Sequence, residues 1–377
     1  MIYLDHAATT PVHLLVQTTI ASALQDYGNP SSLYAIGRQQ KQAILGAKKR
    51  IADYINAVPE EIIFTASGSE ANNLAIQSIL STYHKEKGHL ITSQIEHPSV
   101  RKTMQWAETL GFTVTYLPVN QEGMISLKDL EAAITKETRL VSIMMVNNEI
   151  GSQQPIKDIA ALLKEYQIPL HTDAVQAFGQ EGIDVDELGV DFLSVSGHKI
   201  NAPKGIGFLY KRKTSKLLPL IHGGSQENGL RAGTENVPYI LGLAKAVDII
   251  EEFQDERIAK NKLLMELLFD SLHQEGIDFE VNGYSSTNSH HVVNIWLKHI
   301  PSSQVVIVCD LAGIAISAGS ACSAGSLEPS PILTALYGSD SPRVSESIRI
   351  SFGYQSQEED ILRLIQALKP LAEKLQR

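Results

Sequence analysis

Cysteine is nearly absent: the 377-residue chain has two, Cys309 and Cys322. Two thiols cannot build a disulfide framework, and a reducing cytosol disfavours even the one bridge they could form. No CxxC pair and no HExxH segment occurs, so no metal site is expected. Cations are the minority charge, 32 Lys and Arg against 42 Asp and Glu, giving a net charge of −10. Such a chain is a poor direct binder of nucleic acid or of an anionic membrane. Long hydrophobic runs are missing too. The longest apolar-rich stretch, Val305 to Ala318, is interrupted by Asp310 and is too short to span a bilayer. The N-terminus meets Asp5 before any apolar stretch forms, so no secretory signal is expected. What remains is ordinary globular usage, 43% hydrophobic and 20% charged, which excludes collagen-like, coiled-coil and disordered classes. At roughly 150 residues per domain, the length suggests two or three domains, or one large and one small. The whole fits a soluble cytoplasmic enzyme.

Short apolar runs alternate with helical patterns between about residues 60 and 215. Glu61 to Ala66, Leu90 to Ser93, Phe112 to Leu117, Leu140 to Val146, Ile168 to Asp173, Val190 to Val195 and Gly205 to Tyr210 read as strands. Glu70 to Ser81 reads as a helix between the first two. Strands separated by helices imply crossovers and an α/β fold with a mostly parallel seven-stranded sheet. After about residue 250 the pattern changes. An amphipathic helix through Ile258, Leu264, Leu268 and Leu272 precedes shorter strands at Asp278 to Val281, His291 to Leu297 and Ser347 to Phe352. Ser356-Gln357-Glu358-Glu359 has the form of a capping box opening the last helix. This half suits a smaller α+β domain. The division expected is 14–252 for the large domain, with 1–13 and 253–377 forming the small one. Gly223 to Gly233 reads as a loop inside the large domain.

Ser196-Gly197-His198-Lys199 ends one of these strands and presents a lysine beside a histidine. A lone lysine after a strand is ordinarily a surface residue. Three other features point to chemistry. Asp173 ends another strand, one strand-helix-strand step upstream, so acid and amine can share the carboxyl edge of the sheet. A carboxylate facing a protonated pyridine nitrogen, and an amine able to condense with an aldehyde, are what pyridoxal phosphate needs. By itself Asp173 reads equally well as a helix N-cap. Ser67-Gly68-Ser69-Glu70 opens a helix with small residues whose N–H groups favour a phosphate, although many strand-to-helix turns share that composition. His97 follows a strand, where an imidazole can stack on a flat ring or shuttle protons; alone it reads as a loop histidine.

With these residues in place the chain resembles the cysteine desulfurases of the NifS/IscS type, in the fold-type-I pyridoxal-phosphate group (class V aminotransferases). The resemblance runs end to end. It is carried by Tyr3 to Pro11 (YLDHAATTP), Gly28 to Ser32 (GNPSS), Val146 to Gly151 (VNNEIG), His171 to Gln176 (HTDAVQ), Ser196 to Lys199 (SGHK), Arg231 to Thr234 (RAGT) and Ser317 to Cys322 (SAGSAC). It implies that Lys199 binds pyridoxal 5'-phosphate covalently, Asp173 pairs with the ring nitrogen and Gln176 contacts the ring oxygen. His97 would stack over the ring and move a proton near the sulfur. Gly68, Ser69, Ser196 and His198 would hold the phosphate, joined by Thr234 from the other subunit of a homodimer. Asn148 would lie against the cofactor and, with Arg349, receive the carboxylate of L-cysteine. Cys322 would accept the sulfur as a persulfide and pass it to an acceptor protein.

Local physics bears on two of these residues. Ile348, Ile350 and Phe352 alternate on one face of a strand, so Arg349 points to the other face with Ser347 and Ser351, where it can clamp a carboxylate or simply lie exposed. Cys322 sits in a run of small residues, so a mobile loop over about 318–330 is expected, around either a travelling or an inert thiol. Cys309, in an apolar run, reads as a buried structural cysteine. His84, His89, His290 and His291 lack metal spacing, Lys204 reads as a loop or solvent residue, and Glu70 receives no role. Ala66-Ser67-Gly68-Ser69 replaces the Gly-Ala-Thr turn commoner in the family and still offers hydroxyl and N–H donors. Ending at Arg377, the chain is expected to lack the family's scaffold-docking extension, which leaves iron–sulfur assembly, tRNA thiolation and cofactor biosynthesis open as destinations. Other readings are a related lyase, acting on selenocysteine or kynurenine, and a sulfur-relay scaffold without catalysis.

Overall fold

The computed structural model of the chain describes residues 1–319 and 329–375. A short strand β1 (Ile2–Tyr3) is followed by β2 (Ile62–Thr65), β3 (His89–Ser93), β4 (Thr113–Leu117), β5 (Thr138–Ser142), β6 (Leu170–Asp173), β7 (Phe192–Ser196) and β8 (Gly207–Lys211). The last seven form one sheet in the order β2-β8-β7-β6-β5-β3-β4. β8 is antiparallel to both neighbours. The remaining adjacent pairs are parallel. The exception has a simple cause. The link from β7 to β8 has no room for a crossover helix, so the chain must return antiparallel. Because β2 is antiparallel to β8 as well, it points the same way as β7, and the ends of β2, β3, β5, β6 and β7 share one edge.

β2, β3, β6 and β7 are buried along their whole length, as strands covered on both faces require. Of the polar residues this places in the core, His171 is satisfied across strands, its Nδ1 meeting Ser142 Oγ at 2.7 Å and its Nε2 meeting Ser194 Oγ at 3.0 Å, while Thr172 Oγ1 has no partner. The expected strand through Val146 stops at Ser142. From there the chain bonds to the end of β6 and turns towards the cavity, with Met145 N–H donating to Asp173 O at 2.9 Å.

Beyond residue 250 come β9 (Phe279–Val281), β10 (Val292–Leu297), β11 (Ile314–Ala315) and β12 (Ser347–Ser351). An antiparallel sheet runs β12-β10-β9, and β1 pairs in parallel with β11. The two largest apolar clusters are separate. One holds Ile91, Val141, Leu193 and Phe208; the other holds Leu4, Leu268, Ile295, Cys309 and Ile348. A single helix, Val237–Gln274, supplies Leu243 and Val247 to the first and Leu264 and Leu268 to the second.

The last helix, Glu358–Leu375, starts one residue later than the Ser356 box implies. Asp360 accepts the Gln357 N–H at 2.8 Å, so the reciprocal bond falls on Gln357. The Ser356 hydroxyl instead accepts the Gly353 N–H at 3.0 Å and closes the preceding turn.

Candidate active site

The shared strand edge opens into a cavity of about 310 Å³. Gly68, Ser69, His97, Asn148, Asp173, Gln176, Ser196, His198, Lys199 and Arg349 all line it. At one end, β2 runs into the helix Gly68–Thr82. Ser67 Oγ caps the Glu70 N–H at 3.1 Å, while the small residues Gly68 and Ser69 form the first turn facing the cavity. A helix N-terminus of this kind favours an anion. Glycine is required behind it: a Cβ on Gly207 would stand 2.5 Å from Val195 O and 3.1 Å from the Ser67 carbonyl carbon. Glu70 pins the turn, accepting the Ala66 N–H at 2.8 Å and pairing with Arg231 Nε at 2.8 Å. Burial, helped by the charges of Lys199 and Lys204, pushes His198 down to about 4, so it is a neutral imidazole, 3.1 Å from Thr9 Oγ1.

In the middle of the cavity most polar groups already have a partner, and Asn72 Oδ1 is the buried atom left without one. Asp173, buried at the end of β6, accepts Asn72 Nδ2 at 2.7 Å and the Val175 N–H at 3.0 Å. Asn72 also donates to Ser99 Oγ at 2.9 Å. Ser99 in turn bonds His97 Nδ1, through its hydroxyl at 2.8 Å and its N–H at 3.2 Å. An Nδ1 that accepts a backbone N–H leaves the ring proton of neutral His97 on Nε2. Gln176 is held at both ends, Nε2 donating to Ala7 O at 3.0 Å and Oε1 meeting His291 Nε2 at 3.1 Å. Burial drives His291 down to about 3, so it too is neutral. Lys199 Nζ donates to the carbonyls of Ala7 and Ala8.

The other end is built by residues far apart in sequence. Arg349 is 1% exposed, so the strand-arginine alternative of an exposed side chain does not apply. Its Nη2 pairs with Asp5 Oδ1 at 2.7 Å and its Nη1 donates to Asn148 O at 3.0 Å. Arg349 Nε and Asn148 Oδ1 are shut away from solvent without a hydrogen-bond partner. Two orphaned polar atoms beside one cavity mark a place for a ligand carrying both an acceptor and a donor.

Sequence reasoning missed Asp5, Asn72, His291 and the Ala7–Ala8 carbonyls. Asn72 had a signal, since it lies one helical turn from Gly68 and so shares its face. Asp5 lay within the Tyr3 to Pro11 motif but without a role, and His291 had no signal, because only the fold brings it in. Thr234 is exposed and does not line the cavity of its own chain. Cys322 and most of the expected mobile segment lie outside the described residues. Cys309 is fully buried, its thiol pushed up to about 11 by desolvation, which keeps it protonated and inert. His89 is bonded to Thr138 and Thr115, and the described residues hold no group of three or more metal-ligand side chains. Lys204 is exposed. No described helix is long and apolar enough to cross a membrane.

This arrangement has counterparts. Residues 2–364 match the family described as Aminotransferase class-V. Cysteine desulfurase IscS of Dictyoglomus turgidum is 42% identical over 375 residues, covering 99% of this chain and 95% of that protein. Among solved structures, a NifS-like protein superimposes with a TM-score of 0.91 at 31% identity over 99% of both chains. SspA in complex with cysteine gives 0.83 at 39% identity, over 93% of this chain and 99% of that one. The chain belongs to the class-V aminotransferase family, as a pyridoxal-phosphate-dependent cysteine desulfurase of the NifS/IscS type.

The cavity suits that cofactor on its own evidence. It offers a helix N-terminus for a phosphate, a buried carboxylate for a ring nitrogen and an amine for an aldehyde, all opening on one space.

Proposed function

We propose that the cavity converts L-cysteine to L-alanine and leaves the sulfur on Cys322 as a persulfide. The observation that carries the reading is the placing of Lys199 and Asp173 in one cavity with the orphaned Asn148 Oδ1 and Arg349 Nε. Gly68, Ser69, Ser196 and His198 hold the phosphate of pyridoxal 5'-phosphate, Asp173 its ring nitrogen and Gln176 its ring oxygen. When bound, that group takes up the electrons released at the substrate α-carbon and so loosens the bond between β-carbon and sulfur. Arg349 and Asn148 take the substrate carboxylate, fixing which bond at the α-carbon faces Lys199. Lys199 Nζ removes the α-proton and later returns one. The Cys322 thiolate attacks the substrate sulfur. A sulfur–sulfur bond forms, the carbon–sulfur bond breaks, and the electron pair left on the β-carbon takes a proton to complete the methyl group of alanine. The net exchange is one thiol and one L-cysteine for one persulfide and one L-alanine, with no outside oxidant or reductant. His97, with its proton on Nε2, serves the sulfur end.

The finer reading follows the same logic. Thr234, exposed on its own chain, reaches the phosphate of the partner subunit in a homodimer. Residues 14–252 form the cofactor body, and 1–13 with 253–377 the smaller one that carries Cys322. The enzyme works in the cytoplasm and hands sulfur to an acceptor protein for iron–sulfur assembly, tRNA thiolation or cofactor biosynthesis. The test compares the parent with Cys322→Ala for alanine and sulfide released from L-cysteine, with selenocysteine and kynurenine as rival substrates. Persulfide transfer lost with the cofactor absorbance kept supports the proposal. Undiminished transfer, or faster turnover of either rival, refutes it.

A further inference from the structure

A second space of about 260 Å³ shares no lining residue with the cofactor cavity. It is bounded by the helix Val237–Gln274, by His13 at the start of the helix Leu14–Ala23, and by Tyr354. Its floor is Arg257, which is 8% exposed. A guanidinium buried to this degree is normally paired with a carboxylate. Arg257 is not. Among the described residues its one hydrogen bond is a long one, Nη2 to Asn201 Oδ1 at 3.4 Å, and no carboxylate reaches ion-pair distance. A second cation, Lys260, lines the same space and donates to Tyr354 O at 3.0 Å, which leaves further N–H directions of its ammonium unused. Both cations are held below their ordinary range by burial, Lys260 against the opposing pull of Asp360 and Glu256, neither of which reaches ion-pair distance. The walls are flat and apolar. The His13 and Tyr354 rings stand 5.3 Å apart, and Phe253, 44% exposed, faces the same opening. One carboxylate, Glu256, also borders the space, but it is exposed and pairs with neither cation.

We propose that this space is a binding site for a small anion, a phosphate or carboxylate attached to a flat ring. The anion supplies the missing partner of Arg257 and Lys260, and the ring lies among His13, Tyr354 and Phe253. In a chain of net charge −10, an unpaired buried guanidinium is not explained by the general field. The position also ties the site to the reaction. Asn201, the contact of Arg257, follows Lys199 by two residues and is itself locked to Thr10 and Pro11 through bonds of 2.8 and 2.9 Å. An anion that draws Arg257 away from Asn201 acts on the turn that carries the lysine.

The test uses the cofactor-loaded enzyme and phenyl phosphate, followed by calorimetry. One saturable site per chain is expected. It should be weakened about tenfold or more by Lys260→Gln and by Arg257→Gln. It should persist when L-alanine saturates the cofactor cavity. Absence of saturable binding at millimolar probe overturns the proposal. So does binding that alanine displaces, or binding that Lys260→Gln leaves unchanged. Lys260 is only part-buried, so its variant keeps the test open even if Arg257→Gln fails to fold. None of these outcomes depends on the role given to Cys322.

Discussion

The two ends of the cavity keep their polar groups in different states. Around the place for the ring, Asp173, Gln176 and Lys199 are already bonded to Asn72, Val175, Ala7, Ala8 and His291. At the Arg349 end, one nitrogen and one oxygen are buried with nothing to bond. A network bonded at all but one atom, Asn72 Oδ1, fixes geometry before a ligand arrives. An unbonded pair is costly until a ligand satisfies it, which favours a ligand of matching shape. The first arrangement suits a resident cofactor and the second a substrate that comes and goes.

Substitutions can break this comparison. Lys199→Ala should have the largest effect, lowering turnover by roughly a thousandfold or more, because the proton carrier and the cofactor anchor go together; steady-state alanine release checks it. Arg349→Ala should follow, removing charge-assisted hydrogen bonds worth about 3 kcal/mol and so lowering kcat/KM for L-cysteine roughly a hundredfold. A loss confined to cofactor affinity would mean that the two ends do not divide the work. Asp5→Asn should be smaller. Without its carboxylate the guanidinium loses one anchor, and KM should rise about tenfold with kcat little changed. A lower KM would show that Asp5 competes with the substrate instead of aiming Arg349.

A pH series sharpens the cofactor side. Glu96, next to His97, is raised to about 8 by burial, with Asp173 adding to the shift. Between 4.5 and 8 the unfolded carboxyl has lost its proton while the folded one keeps it, so stability drains as pH rises through that window. Glu96→Gln should therefore gain in Tm relative to the parent as pH goes from 4.5 to 8. His171 and His291, lowered from 6.5 to about 3, act in the opposite sense. Their contribution is complete above 6.5 and is lost as pH falls towards 3, so the parent should weaken in acid. The smallest effect is expected from Cys309→Ala: about 1 kcal/mol of stability, read by denaturant unfolding, with turnover intact.

Legibility followed sequence distance. The turn at Ser67–Ser69, Asp173 and Ser196–Lys199 each ends a strand, and an apolar run followed by small or polar residues announces such a place without help from the fold. The antiparallel return of β8 was missed: an apolar run does not carry direction, and only the short link from Val195 to Gly205 signalled it. Arg349 was legible as a strand residue but not as a buried one. Its burial depends on Asp5, at the other end of the chain, and on the N-terminal segment that closes over it. His291 was passed over because its partner, Gln176, lies on a different sheet's loop and no spacing links them. The late start of the final helix had a local cause that pattern could not rank: Asp360 and Glu359 both offer a carboxylate, and geometry chose Asp360.

Mass analysis of the two cysteine peptides after brief exposure to L-cysteine decides most directly whether the cavity feeds a dedicated thiol. One added sulfur atom on the peptide holding Cys322, none on that holding Cys309, and none on either in Lys199→Ala is the predicted result. Alanine formed while Cys322 stays unmodified, or sulfur found on Cys309, would contradict it.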